Sequence, residues 1–236
     1  MEKVLVIAPD KPSGEAFNEA LRKQGVETEV MYADIEPRVI GQDMNLDPKV
    51  EEDLARAIRQ GWERGFKKMV IACNTLQLWI NKARRLLDEQ THQKIRIITT
   101  FEAVRAQYGD QAAKPVWVGT SVLARLIPAE YFPTLLALHL DHLQEIAQEV
   151  IWRVKGVTGA DVTTADPTIE DITSKDKLKD KTRQLVEGLK ENGLTQVIMG
   201  CTELPIAFKD YSTAADKKGM ELIDPADCVA EIVERI

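Results

Sequence analysis

The stretch Lys68–Thr75, KMVIACNT, is a short apolar run that stops at a cysteine and continues into small polar residues. The pattern returns in Gln196–Glu203, QVIMGCTE. Consecutive apolar residues, partly β-branched and not alternating with polar ones, are what a central strand of a parallel sheet requires, because helices cover both of its faces. Two further runs share the character: Val4–Ala8 (VLVIA) leading into Pro9-Asp10, and Val116–Gly119 (VWVG) leading into Thr120-Ser121. VLVIAPD pairs with PVWVGTS, and MVIACNT pairs more closely with VIMGCTE. The pairing reads as a weak internal repeat, two lobes of similar build with one cysteine at a strand end in each.

Working outward from these runs, strands are expected near Val4–Ala8, Glu29–Tyr32, Met69–Ala72, Ile95–Thr99, Val116–Gly119, Leu136–His139, Val197–Gly200 and Glu221–Ile223. Helix-periodic segments lie between them. Glu15–Gln24 carries Phe17, Ala20 and Leu21; Val50–Arg64 carries Leu54, Ile58 and Trp62. Asp141–Val154 carries Leu143, Ile146, Val150 and Val154, a buried stripe at helical spacing, and Asp176–Asn192 ends at Asn192-Gly193, a common helix stop. Thr158–Lys181 is polar and turn-rich and reads as a solvated loop running into a charged helix face. Strands alternating with helices imply parallel βαβ units and an α/β fold. In open sheets of this kind ligands bind beyond the carboxyl ends of the strands. The first places to look are therefore Asp10 to Ser13, Cys73-Asn74-Thr75, Thr120-Ser121 and Cys201-Thr202-Glu203.

A chain of 236 residues with 44% hydrophobic and 29% charged residues is long enough to bury a full core, as one large domain or two lobes. A net charge of -7 argues against a nucleic-acid partner held through phosphates, while leaving room for an anionic small substrate in a locally positive pocket. Val4–Ala8 is too short for a signal peptide and no run reaches the length of a membrane helix, so no membrane partner and a cytoplasmic location are expected. There the three cysteines read as free thiols, and no CxxC pair supports structural zinc. His139, Asp141 and His142 lack a fourth ligand nearby and read as surface or helix-entry residues, so no metal is expected. The sequence has no GxGxxG, GxxxxGK[ST] or HExxH, and no cofactor is indicated.

A thiol with a pKa of about 8.5 is roughly 3% thiolate at pH 7, and so serves both as base and as acid. Asn74, Thr75 and Thr202 beside the two strand-end cysteines can donate hydrogen bonds to a thiolate or a substrate carboxylate. The backbone N–H groups of a following helix add positive potential there. One thiol on each side of a substrate suits removal of a proton from carbon and delivery of another to the opposite face, as in racemisation or epimerisation. Cys228, among Val229, Ile232 and Val233 near the C-terminus, reads as core. Arg38, in the loop after the second strand, reads either as a bidentate clamp for a side-chain carboxylate or as a surface arginine.

IACNT and GCTELP together resemble the paired cysteine motifs of the aspartate/glutamate racemase superfamily, amino-acid racemases that work without pyridoxal phosphate. The resemblance takes in the first strand and its loop, both cysteine motifs, VGTS between them and the closing ELIDPADC. It implies two pseudo-twofold-related α/β lobes, each a parallel sheet flanked by helices, with the active site in the cleft between them. It implies that the C-terminal segment crosses back, giving residues 1–99 plus 209–236 as the first lobe and 100–208 as the second. Carried onto this sequence, Cys73 and Cys201 become the acid/base pair, and Asn74, Thr75, Thr120, Ser121 and Thr202 the groups that hold the substrate's carboxylate and ammonium.

Glu203 stands where glutamate racemases typically have histidine and aspartate racemases glutamate, which favours aspartate as substrate, with glutamate next, and puts Glu203 among the substrate-binding residues that the resemblance implies. The first loop, APDKPSGEAF, follows neither the Asp-Ser-Gly nor the Gly-Gly-Met pattern of the family. Asp10 matches the family's aspartate only with Lys11 and Pro12 intervening before Ser13, and a turn or helix-capping role stands beside a substrate contact. The family commonly forms homodimers, which is the expected assembly. Hydantoin racemases and maleate isomerases share the scaffold, and a non-catalytic amino-acid or dicarboxylate binder or a thiol redox protein are the competing readings.

Overall fold

The computed structural model describes residues 3–35, 48–88, 93–158 and 169–235. In chain order the elements are β1 (Val4–Ala8), α1 (Lys11–Lys23), β2 (Thr28–Tyr32), α2 (Pro48–Glu63), β3 (Lys68–Ile71), α3 (Gln77–Arg85), β4 (Arg96–Ile98) and α4 (Thr100–Tyr108). They continue with β5 (Val116–Gly119), α5 (Ser121–Leu126), α6 (Asp141–Thr158), α7 (Lys175–Glu191), β6 (Gln196–Gly200), α8 (Glu203–Asp210), β7 (Glu221–Ile223) and α9 (Pro225–Arg235). The chain divides into two compact units, Met1–Gln107 with Pro225–Ile236, and Tyr108–Asp224. The division falls later than the expected boundaries at 99 and 209. β7 extends the sheet of β6, and only α9 returns to the first unit.

Each unit is a parallel sheet. The first has the order β2-β1-β3-β4, with Val6 between Val30 and Val70. Leu5, Ile7, Met69 and Ile71 point to one face and pack with Leu54 and Ile58 of α2 and Trp79 of α3. Val4, Val6 and Val70 alternate to the other face and are just as buried, which is why the sequence runs are unbroken by polar residues. On the C-terminal side, α9 packs on α1, and Gln107 of α4 donates its amide to the Cys228 carbonyl at 3.3 Å and to the Glu231 carboxylate at 3.2 Å. Cys228 is buried in this helix.

The second unit has the order β5-β6-β7, with Val116, Val118, Val197 and Met199 packed on the apolar stripe of α6 (Leu143, Ile146, Val150, Val154) and on Leu185 and Leu189 of α7. A fourth position exists in reduced form. The Pro133 carbonyl accepts from the Trp117 N–H at 2.8 Å, and Thr134 forms a single parallel bridge to Trp117, on the side of β5 that β6 does not occupy. The strand expected at Leu136–His139 is not there. Those residues form a turn, with Leu138 N–H donating to the Thr134 carbonyl, Leu140 N–H to the Leu135 carbonyl, and His139 at φ 58°. Thr134 holds the corner by donating to the Ala124 carbonyl at 3.0 Å and accepting from the Ala137 N–H at 3.2 Å. Of Thr158–Lys181, residues 159–168 lie outside the described residues; Ser174 caps α7.

With Thr134 counted, both sheets follow one rule. The chain steps from β1 or β5 to one side, then crosses to the other side to place β3 or β6. Such a reversal splays the loops at the carboxyl ends of the two central strands and opens a crevice there. In the first unit those loops begin at Pro9 and Ala72; in the second they begin at Thr120 and Cys201.

Candidate functional site

In the first unit Cys73 follows β3 and is half-buried at the edge of the core, while Asn74 and Thr75 are buried. A turn over Asn74–Leu76 leads into α3, with Leu78 N–H donating to the Thr75 carbonyl at 3.1 Å. Gln77 fixes this loop. Its amide nitrogen donates to the Asn74 carbonyl at 3.1 Å and to the Thr100 hydroxyl, and its amide oxygen accepts from the Phe101 N–H at 2.6 Å. The start of α4 that it grips is itself locked by a capping box: Thr99 Oγ1 accepts from Glu102 N–H at 3.2 Å, and Glu102 Oε2 from Thr99 N–H at 3.3 Å. Asp10 caps α1, its Oδ1 accepting from Ser13 N–H at 2.8 Å. The intervening Lys11 and Pro12 are the first two residues of that helix, where proline's missing N–H costs nothing. Arg38 lies outside the described residues.

In the second unit Thr120 caps α5 by accepting from Leu123 N–H at 3.3 Å, and Ser121 follows it half-buried. Cys201 follows β6 at 8% exposure, and Glu203, 4% exposed, opens α8. The Cys201 thiol donates to Glu203 Oε2 at 2.8 Å, and the Thr202 hydroxyl donates to the same oxygen at 3.2 Å. Glu203 Oε1 faces Lys155 Nζ at 3.5 Å. The Lys155 ammonium lies 5.1 Å from the centroid of the Trp152 ring.

Helix α6 organises both loops of this unit. Gln144 donates to the Gly119 carbonyl at 2.9 Å, Gln148 accepts from Ser121 N–H at 2.9 Å, and Lys155 pairs with Glu203. Residues 144, 148 and 155 fall within about 40° of one another on a helix of 3.6 residues per turn. This polar stripe runs beside the apolar one, and reading α6 only as a buried stripe misses it. The interruption of the apolar pattern by two glutamines and a lysine in phase was the available signal. Gln77 carried no comparable signal, because its partners Thr100 and Phe101 are distant in sequence.

Among the described residues no group of three or more His, Cys, Asp or Glu is placed to hold a metal ion, and no helix is long and apolar enough to cross a membrane. His142 is an exposed residue 3.9 Å from Glu145, and His139 sits in the turn before α6.

No family model and no curated protein matches the chain. Solved structures do. Aspartate racemase of Picrophilus torridus superposes with a TM-score of 0.65 at 14% identity, covering 100% of this chain and 94% of that one. The fold is that of the aspartate and glutamate racemases. An aspartate racemase homologue from Pyrococcus horikoshii gives 0.63 at 15% identity, covering 100% and 98%. Glutamate racemase of Francisella tularensis, solved with D-glutamate, gives 0.63 at 12%, covering 99% and 80%.

Proposed function

We propose that this protein is a cofactor-independent amino-acid racemase, with aspartate as first candidate substrate and glutamate as second. The observation that carries the reading is the matched placement of two cysteines. Cys201 directly follows β6 and Cys73 follows β3 with Ala72 between, each at the end of the second central strand of its sheet, where the strand order reverses, beside a polar loop that follows the first. A binding protein needs donors at such a place but has no use for a thiol in both units.

In this reading one thiolate takes the α-proton and the other thiol gives a proton to the opposite face of the carbanion. Charge develops on the substrate carboxylate during that step, so donors fixed beforehand lower the barrier most. Asn74, Thr75, Thr120, Ser121 and Thr202 are assigned to the carboxylate and ammonium groups, and Arg38 to the side-chain carboxylate. The hydrogen bonds of Gln77, Gln144 and Gln148 support this by holding the two loop systems rigid before substrate arrives. Asp10, engaged as a helix cap, is assigned to orienting its loop.

Proton NMR in deuterium oxide tests the reading, with L-aspartate and L-glutamate in separate samples and no added cofactor. Loss of one Cα proton signal with appearance of the D-form is the expected result. Tight binding with no exchange would make the protein a binder. Exchange with neither amino acid, but turnover of a hydantoin or of maleate, would move it to another chemistry on the same scaffold.

A further inference from the structure

The two cysteines are not equivalent. Cys201 lies against a carboxylate that is itself held by a cation, all within the second unit. We propose that Glu203 and Lys155 keep Cys201 as the protonated thiol of the resting protein and set how readily it ionises. This deepens the racemase reading and rests on it. It also moves Glu203 from a substrate contact to a positioning residue for Cys201.

The argument starts from what a sulfur and a carboxylate oxygen 2.8 Å apart need. Neither accepts from the other, so a proton must lie between them. Glu203 Oε1 is paired with the Lys155 ammonium at 3.5 Å and Oε2 also accepts from Thr202, which is the environment of an ionised carboxylate. The proton therefore belongs to sulfur. The start of α8 opposes this, because a helix N-terminus, equivalent to about half a positive charge, favours thiolate. A full negative charge in direct contact outweighs it. Lys155 then limits the penalty: when Cys201 gives up its proton, the S–H bond breaks as the C–H bond forms on the carbanion's electron pair. The thiolate left behind beside Glu203 is offset by the ammonium across the carboxylate. Lys155 is 20% exposed on its side chain and Glu203 only 6%, so the anion beside the sulfur is largely screened from solvent while its counter-charge reaches water.

The test is alkylation of the full chain carrying Cys73→Ser, with iodoacetamide at pH 7.5 and mass spectrometry of the Cys201 peptide. Buried Cys228 reports any opening of the fold in the same digest. Glu203→Gln should raise the Cys201 rate by about tenfold, since only the thiolate reacts and the contact anion is gone. Lys155→Met should lower it by about fivefold, because the remaining negative charge is no longer offset. Lys155→Arg should return it to within about twofold of the parent, since it keeps the cation. A loosened loop would instead raise the rate in every variant. Rates that move in the same direction for Glu203→Gln and Lys155→Met, or that stay within about twofold in both, overturn the proposal. If Glu203→Gln exposes Cys228, the lysine pair decides: a fall in Lys155→Met recovered by Lys155→Arg upholds it, and no fall overturns it. Alkylation needs no turnover, so absence of racemisation with the expected rates would sink the racemase reading alone.

Discussion

The two units end their central strands differently. In the first the residues there are Ala8, the last of β1, and Ala72, the first after β3; in the second they are Gly119 and Gly200, the last of β5 and β6. Trp117 explains the difference. A Cβ on Gly200 would lie 1.8 Å from the indole nitrogen of this buried tryptophan, and one on Gly119 would lie 2.8 Å from the Gly200 carbonyl. In the second unit the ring lies where a methyl group on Gly200 would have to stand. This unit also replaces a whole edge strand with one bridge at Thr134.

The sharpest way to break the comparison is at the cysteines. Cys73→Ser and Cys201→Ser should each lower racemisation by about 10³-fold in the deuterium-exchange assay, within the span general acid–base catalysis supplies. A single variant retaining near-parent turnover would show that only one unit does chemistry.

Next in size is the glycine. Gly200→Ala should cost about 3 kcal/mol in urea unfolding, at the upper end of overpacking, or prevent folding outright. Adding Trp117→Leu should recover part of that loss, a non-additivity that the contact between the two residues requires. Ala72→Gly, at the equivalent place in the first unit, should cost only about 1 kcal/mol.

Loop anchoring comes third. Gln77→Leu removes its bonds to the Phe101 N–H and the Asn74 carbonyl and should cost about 1–3 kcal/mol, whereas Gln148→Leu removes only the bond from the Ser121 N–H and should cost about 1. Both should lower kcat more than they raise KM if the loops bear catalytic groups.

The smallest effect is acid sensitivity. Among the described residues, the carboxyls held below the ordinary range all lie in the second unit. Burial alone would raise Glu149, but its hydrogen bonds and charge pairing with Lys181 and Arg153 outweigh that. Asp171 is lowered by a hydrogen bond from Lys177 and by its charge, and Asp216 by hydrogen bonds from the Thr213 backbone and hydroxyl. A depressed carboxyl adds stability above its unfolded pKa, and that stability is lost as pH falls through the folded value. Below about pH 4 amide exchange should therefore quicken in the second unit before the first.

The sheets were legible in the sequence because parallel strands buried on both faces leave unbroken apolar runs, and VLVIA and VWVG ended where expected. Their ends pointed to the loops that the strand order splays. What misled was LLALHL, whose apolar content resembles a strand. Only Pro133 and Thr134 reach β5, and the chain must turn within the six residues Leu135–Leu140 to enter α6, so hydrogen bonding to its own backbone wins over a ladder. The supporting residues were hidden for a different reason. A glutamine that ties two backbones together looks in sequence like any polar surface residue, and Glu203 read as a group aimed at substrate until Lys155 and Cys201 were found on its two oxygens.

The return of α9 to the first unit has a consequence for how the protein is made. Its residues emerge from the ribosome after all of Tyr108–Asp224, a continuous segment that can close as soon as it is out. The N-terminal unit, translated first, must wait with the face of α1 that α9 covers still uncovered. A stop codon placed just before Pro225 would leave the later-made half intact and the earlier-made half exposed to proteases.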